Sequence, residues 1–300
     1  MQVSIVTDEV SSDPETALEV ISSWGVKYVE LRGIGDQRYP RVSEYWQYRL
    51  PQLLDEFALK VIAISPGLFQ MEPPGRPRRP MAFTRGGDMR IVRDELEAEA
   101  RRDEHINKLL PASIEAALRL GAQSIICFAF FSRSDHTESD PVPEESVQII
   151  RYATEKIAAA GLTLNVEVSE PSRRCGDLVK RVNHPAFGVN WDPGAAFQGG
   201  ENVPYPDGYA QLRPYVRHVH FKDVAVDLST GERRVVVDGV IDWAGALRAL
   251  EADGFGGYIS VETHRRPKVD STHRMLRRLQ GLIEGVQREP TELSMPAGRA

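Results

Sequence analysis

The sequence predicts an α/β protein built as a (β/α)₈, or TIM, barrel, and three observations carry that expectation. Eight short runs rich in β-branched and apolar residues alternate with eight amphipathic helical stretches, the pattern of a parallel sheet whose strands are joined by helices. The chain has 300 residues and is 41% hydrophobic, enough for one barrel of about 250 residues with insertions. The competing doubly wound sheet needs a glycine-rich first strand-to-helix turn, and "VTDEVSSDPE" has no glycine.

The strand-like runs are, in order, "VSIVT" (3–7), "KYVELR" (27–32), "LKVIAIS" (59–65), "QSIICFAF" (123–130), "LTLNVEV" (162–168), "AFGVNW" (186–191), "VRHVHF" (216–221) and "YISVE" (258–262). The helical stretches between them are "DPETALEVISSWG", "SEYWQYRLPQLLDEF", the long 87–121 segment, "VPEESVQIIRYATEKIAAAG", "CGDLVKRVN", "DGYAQLRPY", "DWAGALRALEADG" and "VDSTHRMLRRLQGLIEGVQ". Several carry a polar cap in front and Gly or Asn behind, the punctuation of helix ends. Two insertions interrupt the alternation at the expected catalytic end. One is the Pro- and Arg-rich 66–86 segment after strand three, and the other is a hairpin over 224–240 after strand seven. The barrel is expected to occupy residues 1–290 as a single domain, with 291–300 as a loose tail.

Composition narrows the function. Lys and Arg total 37 against 43 Asp and Glu, a net charge of −6. A chain that grips nucleic acid needs an excess of basic residues for the phosphates, so nucleic-acid binding is not expected. Arg76, Arg78, Arg79 and Arg85 cluster in the 66–86 insertion and read as a solvated, substrate-covering loop. Cys127 and Cys175 are the only cysteines, too few for a disulfide framework. The N-terminus lacks a basic leader, and no stretch approaches the roughly 18 apolar residues of a membrane span. A soluble cytoplasmic protein with no membrane partner is expected.

The chemistry is carried by alternation within the last four strands. Successive residues of a strand face opposite sides, and the inward phase of a barrel strand reaches the active site at its C-terminal end. In "LTLNVE" the polar phase is Thr163, Asn165 and Glu167; in "FGVNWD" it is Gly188, Asn190 and Asp192. His218 and His220 share a phase in "VRHVHF", as do Tyr258, Ser260 and Glu262 in "YISVE". Each polar phase ends in a group able to bind a metal: Glu167, Asp192, His220 and Glu262. Carboxylates crowded at one mouth repel one another unless a cation compensates them. A single divalent ion is therefore expected. Three carboxylates and one imidazole suit Mn²⁺ best, with Mg²⁺, Co²⁺ or Zn²⁺ as alternatives. His218, one step deeper, reads as a buried structural histidine. Lys222 is placed either to reach a substrate oxygen or to pair locally with Asp223.

These residues resemble the sugar phosphate isomerase/epimerase family of xylose isomerase-like TIM barrels, of which the apurinic-site endonucleases are distant relatives. The likeness runs from "IVTDEVSSDPETALEVISSWGVKYVELR" through "ALRLGAQSII" and "AAAGLTLNVE" to "HVHFKD" and "FGGYISVETH". It implies that Glu167, Asp192, His220 and Glu262 bind the metal, and that Glu167 and Glu262 also relay a proton. It further places Glu30, in the polar phase of strand two, either near the substrate or in a structural ion pair. Three positions depart from the family pattern: Ala195 stands where a histidine often follows the strand-six Asp, Val226 where ketose 3-epimerases have Arg, and Arg173 where they have Glu.

Further candidates come from the loops. His136 in "FFSRSDHTESD" is placed to act as an acid or base, because imidazole titrates near neutrality. Arg173 and Arg174 after strand five are placed either to hold a substrate oxygen or acid group or to lie on the surface. Phe69 and Trp191 offer an apolar wall for a sugar ring, although Trp191 reads more readily as packed under a helix; His105 and His273 fall within helices. The expected activity is proton abstraction next to a carbonyl of a small sugar or keto-sugar through a metal-stabilised ene-diolate, giving isomerisation or epimerisation. The alternative uses the same carbanion to expel a β-substituent, as a dehydratase or keto-sugar lyase such as a deglycosidase would. A third reading is a non-catalytic sugar sensor or assembly subunit. A homo-oligomer is expected, with room for a small accessory subunit.

Overall fold

A computed structural model describes residues 1–71, 95–130, 142–169 and 171–288, with the backbone alone for 95–97. His136, Arg76, Arg78, Arg79, Arg85, most of the 66–86 insertion and the 291–300 tail lie outside the described residues.

Eight parallel strands close into a barrel. They are β1 (Gln2–Val6), β2 (Tyr28–Leu31), β3 (Lys60–Leu68), β4 (Ser124–Cys127), β5 (Thr163–Glu167), β6 (Phe187–Trp191), β7 (Val216–Phe221) and β8 (Tyr258–Val261). Each pairs with the strand before and after it in sequence, and β8 pairs back onto β1 from Gln2↔Tyr258 to Ile5↔Val261. All eight expected runs are therefore strands of one barrel. The fourth stops earlier than expected, at Cys127, and Phe130 beyond it takes a left-handed φ of 55°.

The helices follow from local signals. Helix α1 (Pro14–Ser23) starts at Asp13, whose side chain accepts from the Thr16 N–H at 2.8 Å, and Pro14 takes the first position, where no N–H is needed. Helix α2 (Glu44–Glu56) follows β2. The long segment before β4 is not one regular helix: α3 (Glu95–Glu104) passes through a π turn at His105–Leu109 into α4 (Leu110–Leu120). The left-handed Gly121, at φ 67°, then ends α4. Helix α5 (Glu144–Ala159) precedes β5. Helix α6 (Ser172–Val182) begins three residues before the expected "CGDLVKRVN" and ends on left-handed Asn183. The short α7 (Pro193–Gln198) is capped by Asp192. Only Tyr209–Leu212 of "DGYAQLRPY" forms an α turn, α8. Helix α9 (Trp243–Ala252) precedes β8, and α10 (Lys268–Arg288) closes the ring.

Two small antiparallel ribbons sit beyond the C-terminal strand ends. Asp223–Val226 pairs with Arg233–Val236, starting one residue before the expected 224–240 hairpin, and Gly33–Ile34 pairs with Gln37–Arg38 after β2. The main apolar core lies between strands and helices. There Trp191 packs against Tyr209 at 4.8 Å and Trp243 at 6.1 Å, and Phe221 lies 4.5 Å from Trp243. A separate apolar group of Ile62, Ala63 and Ile126 with Tyr28 and Tyr258 fills part of the barrel's interior. Inside the barrel the Ser4 and Ser260 hydroxyls meet at 2.5 Å, and Asn165 and Asn190 are buried. The interior is thus apolar in one layer and polar in another, and the polar layer supports the site.

Candidate metal centre

Glu167 is the last residue of β5, Asp192 follows β6, His220 lies in β7 and Glu262 follows β8. Barrel closure brings the four together: one ligand atom from each lies within 4.8 Å of every other. Asp192, His220 and Glu262 are buried, while Glu167 is half-buried.

Hydrogen bonds fix each group. The Asp192 carboxylate does two jobs: one oxygen accepts from the Ala195 N–H at 2.7 Å, capping α7, and the other faces the centre. His220 is held from below. Its Nε2 lies 3.0 Å from Glu30 Oε2, so this nitrogen carries the hydrogen, because an ionised carboxylate can only accept. The other ring nitrogen, Nδ1, has no hydrogen-bond partner and lies 3.3 Å from Glu262 Oε2 and 3.9 Å from Asp192 Oδ2. A lone pair aimed at two carboxylates is favourable only with a proton or a metal ion between them. The carboxylate–histidine pair beneath it is the arrangement that orients metal-binding imidazoles.

The charges point the same way. Burial and then the nearby Glu262 charge push the Glu167 carboxyl up to about 7. Burial also raises Asp192, against the pull of Lys222. His220 is raised well above its ordinary value although burial opposes this, because Glu30 and Glu262 favour its charged form. Around the mouth the carboxylates of Asp8, Glu9, Glu167, Asp192 and Glu262 outnumber the permanent cations Arg32, Arg38 and Lys222, and they are matched only when the His220 and His264 imidazoles also hold their second protons. The donor set fits a divalent ion in both chemistry and convergence.

Lys222 is buried, with its ammonium 2.7 Å from Asp192 Oδ2 and 2.5 Å from Glu262 Oε2. Its charge is stabilised by these two carboxylates against burial. The local pair with Asp223 is overturned, since Asp223 instead accepts from the Val224 and Ile241 N–H groups and pairs with Arg278 at 2.9 Å. Lys222 belongs to the centre itself and bridges two of its carboxylates.

Of the two expectations for Glu30, the structural pair is the one observed, and the substrate contact is corrected. Glu30 is fully buried, and Oε2 bonds both His218 and His220 at 3.0 Å. Those bonds and the imidazole charge hold its carboxyl well below the usual range despite burial. With no exposed surface it cannot touch a substrate; it sets the orientation of His220. His218 also contacts Ser260 Oγ at 2.9 Å and is the structural histidine expected. Arg173 is exposed on the first turn of α6, while Arg174 beside it is buried. Phe69 and Trp191 are both fully buried, so neither forms a wall for a sugar ring. The Phe69 N–H donates to His105 Nδ1 at 2.9 Å. His273 stacks on Trp24 at 4.8 Å.

The sequence reading missed a second network at the same mouth. Arg32 pairs with Asp8 at 3.0 Å, with Glu9 and with Glu262. Exposed His264, in a left-handed conformation with φ 49°, spans Glu9 Oε1 at 3.0 Å and Glu262 Oε1 at 3.1 Å. Partial desolvation by the surrounding groups opposes its charge, but the charges of Glu262 and Glu9 outweigh that and raise its imidazole to about 9. Glu9, Glu262 and His264 also converge within ligand distance, but the Arg32 guanidinium already supplies the positive charge there. The available signal was periodicity: Arg32 and His264 lie two residues beyond Glu30 and Glu262, in the same phase.

Replacing Glu30 by Gln leaves His220 with a weaker orienting partner. The expected result is a 10- to 100-fold loss of divalent-metal affinity, read by titration against a chelating dye; unchanged affinity contradicts the support role. In chelator, folded Glu167 holds a proton between its ordinary 4.5 and about 7 that the unfolded chain has lost, so its contribution to stability falls as pH rises through that window. The melting temperature of Glu167→Gln should gain on the parent from pH 4.5 to 7. A constant difference contradicts the raised carboxyl.

Comparison with known proteins identifies the fold and the family. Residues 18–281 match the model of the xylose isomerase-like TIM barrel family. A solved L-ribulose 3-epimerase is 16% identical over 100% of both chains, with a TM-score of 0.69. The IOLI protein, solved with a bound zinc atom, is 18% identical over 95% of this chain and 99% of its own, with a TM-score of 0.71. A probable 3-DHS dehydratase from Bacillus anthracis is 19% identical over 93% of this chain and 99% of its own, with a TM-score of 0.63. No curated protein matches the sequence significantly. Among the described residues, no helix is long and apolar enough to cross a membrane. With a barrel closed by eight parallel strands and a family match over most of its length, the chain belongs to the xylose isomerase-like TIM barrel family.

Proposed function

We propose that this protein is a divalent-metal-dependent isomerase or epimerase that moves a proton next to a carbonyl of a sugar or keto-sugar. The observation that carries the reading is the convergence of Glu167, Asp192, His220 and Glu262 within 4.8 Å. These four residues would hold the ion, with Mn²⁺ the best match to an oxygen-rich set with one imidazole. When bound, such an ion polarises a carbonyl and the hydroxyl beside it.

The chain's own residues supply the rest. Glu167 and Glu262 stand at the two ends of the arc formed by β5, β6, β7 and β8. A substrate carbon lying between them meets one carboxylate on each side. One takes the proton and the other returns it, which inverts the carbon; return by the same carboxylate to the neighbouring carbon isomerises the sugar. Lys222, already bonded to Asp192 and Glu262, holds these carboxylates in place and presents the nearest ammonium to a developing oxyanion. Arg32 and His264 fix the other face of Glu262.

Exposed His264 favours a second reading, β-elimination by a dehydratase or keto-sugar lyase. Its imidazolium stands at the mouth, touching Glu262 and Glu9, where it can protonate a departing group. This gives the elimination an acid among the described residues, the role first assigned to His136.

Incubation of the metal-loaded protein with ketoses and keto-glycosides in deuterated water separates the readings. Isomerase or epimerase action incorporates deuterium next to the carbonyl with the substituents retained, and Glu167→Gln should slow it by about 10²- to 10⁴-fold. Release of water or aglycone without a rearranged sugar shows elimination. Absence of both across the panel, in protein shown to carry metal, contradicts the enzymatic proposal.

A further inference from the structure

The cations at the mouth are not in equivalent states. Arg32 is taken by Asp8, Glu9 and Glu262, and Lys222 by Asp192 and Glu262. Arg38 differs. It lies on the short Gln37–Arg38 strand that pairs with Gly33–Ile34 beyond the C-terminal end of β2. Its Nη1 is buried and has no hydrogen-bond partner. Its guanidinium carbon lies 6.0 Å from the centre of the Phe128 ring, just past β4. A Cβ on Gly67 would stand 3.1 Å from Arg38 Cδ and 3.3 Å from Nη1, so this glycine, at φ 75°, leaves the space the side chain occupies. Arg38 therefore lies over the C-terminal ends of β3 and β4, beside Gly67 and Phe128, where the charges of Glu167, Asp8 and Glu262 act on it.

A buried guanidinium nitrogen without an acceptor is costly, and such groups persist where a ligand completes them. The neighbouring Arg32 makes the cost greater: burial, and then the like charge of Arg32, disfavours the charged form of Arg38. A sugar hydroxyl supplies one neutral acceptor, whereas the carboxylates of Glu167, Asp8 and Glu262 act on the Arg38 charge without bonding its Nη1. A carboxylate matches the planar fork of an arginine with two oxygens and cancels the charge. It also needs such a partner, because the carboxylates of the centre repel any anion that arrives without one.

We propose that Arg38 receives a carboxylate of the substrate, so that the compound handled at this centre is a sugar acid or keto-sugar acid rather than a neutral ketose. This rests on the metal-centre reading and adds the substrate class to it. Arg38 is then a specificity-determining residue at the far end of the substrate from the reacting carbonyl.

D-Fructuronate and D-fructose differ only at C6, as carboxylate and alcohol, and serve as probes. Binding of each to the metal-loaded full chain is measured by calorimetry, in the parent and in Arg38→Met and Arg38→Lys. The expected result is at least tenfold tighter binding of fructuronate by the parent, loss of that preference in Arg38→Met and partial recovery in Arg38→Lys. Metal content stays unchanged in all three. Arg38→Met should melt no lower than the parent, because it removes a buried guanidinium nitrogen that has no acceptor; a purely structural arginine would lower the melting point. Equal binding of the two probes by the parent, or weak binding of both, overturns the proposal, as does a preference that survives Arg38→Met. Parent protein that takes up no metal but still prefers fructuronate would refute the metal centre and leave Arg38 standing.

Discussion

Everything in this barrel's mouth follows from like charges being forced together. Closure of the sheet places Glu167, Asp192 and Glu262 around one imidazole, and carboxylates so close and so shielded from water cannot all stay ionised without positive charge between them. Lys222 answers for one pair and Arg32 for the Asp8, Glu9 and Glu262 group. The remaining imbalance sits at Glu167 and Asp192, both pushed toward their protonated forms. That imbalance is what a divalent ion at the proposed centre would relieve.

The layers of the interior explain how the fold tolerates this strain. Apolar Ile62, Ala63 and Ile126 with Tyr28 and Tyr258 pack in one layer. Glu30, His218, Ser260 and Ser4 form a hydrogen-bonded support, and His220 rises from it with one nitrogen anchored on Glu30 and the other facing the carboxylates. Polar groups bonded in this way are rigid, so the imidazole is oriented before any ligand arrives. Glu262 is the shared member: Lys222 and His220 approach one of its oxygens, Arg32 and His264 the other. A base gripped from both sides is well positioned, and its basicity depends on all four partners.

Much of this was legible in the chain itself. Alternation within four short strands located Glu167, Asp192, His220 and Glu262, because the inward phase of a barrel strand is the one that stays polar near its C-terminal end. The same rule carried one step further would have found Arg32 and His264, but beyond a strand's end the backbone is free to turn and the phase carries less weight. Asp8 and Glu9 fall in or beside a tight 3₁₀ turn over Thr7–Glu9, where alternation says nothing. The sequence left Glu30 open between the pocket and a structural pair for a different reason. Strands in a closed barrel tilt and shear, so residues in register on neighbouring strands do not share a height, and no single strand reveals the shear. Lys222 illustrates a third limit: its partner is not adjacent Asp223 but Asp192, thirty residues away.

Family membership is consistent with this chemistry without choosing among reactions, since the solved relatives include an epimerase, a probable dehydratase and a zinc-bound protein, all below 20% identity. The deciding features are this chain's own: Ala195 in place of a further imidazole, exposed His264 beside Glu262, and Arg38 over the ends of β3 and β4. All of them presuppose one cation at the focus of four side chains. Anomalous diffraction at the manganese edge, from crystals of the protein loaded with Mn²⁺, tests that directly. The account predicts a single peak bonded to Glu167, Asp192, His220 and Glu262; a peak elsewhere, or none with the four side chains ordered and Lys222 still bridging Asp192 and Glu262, would contradict it.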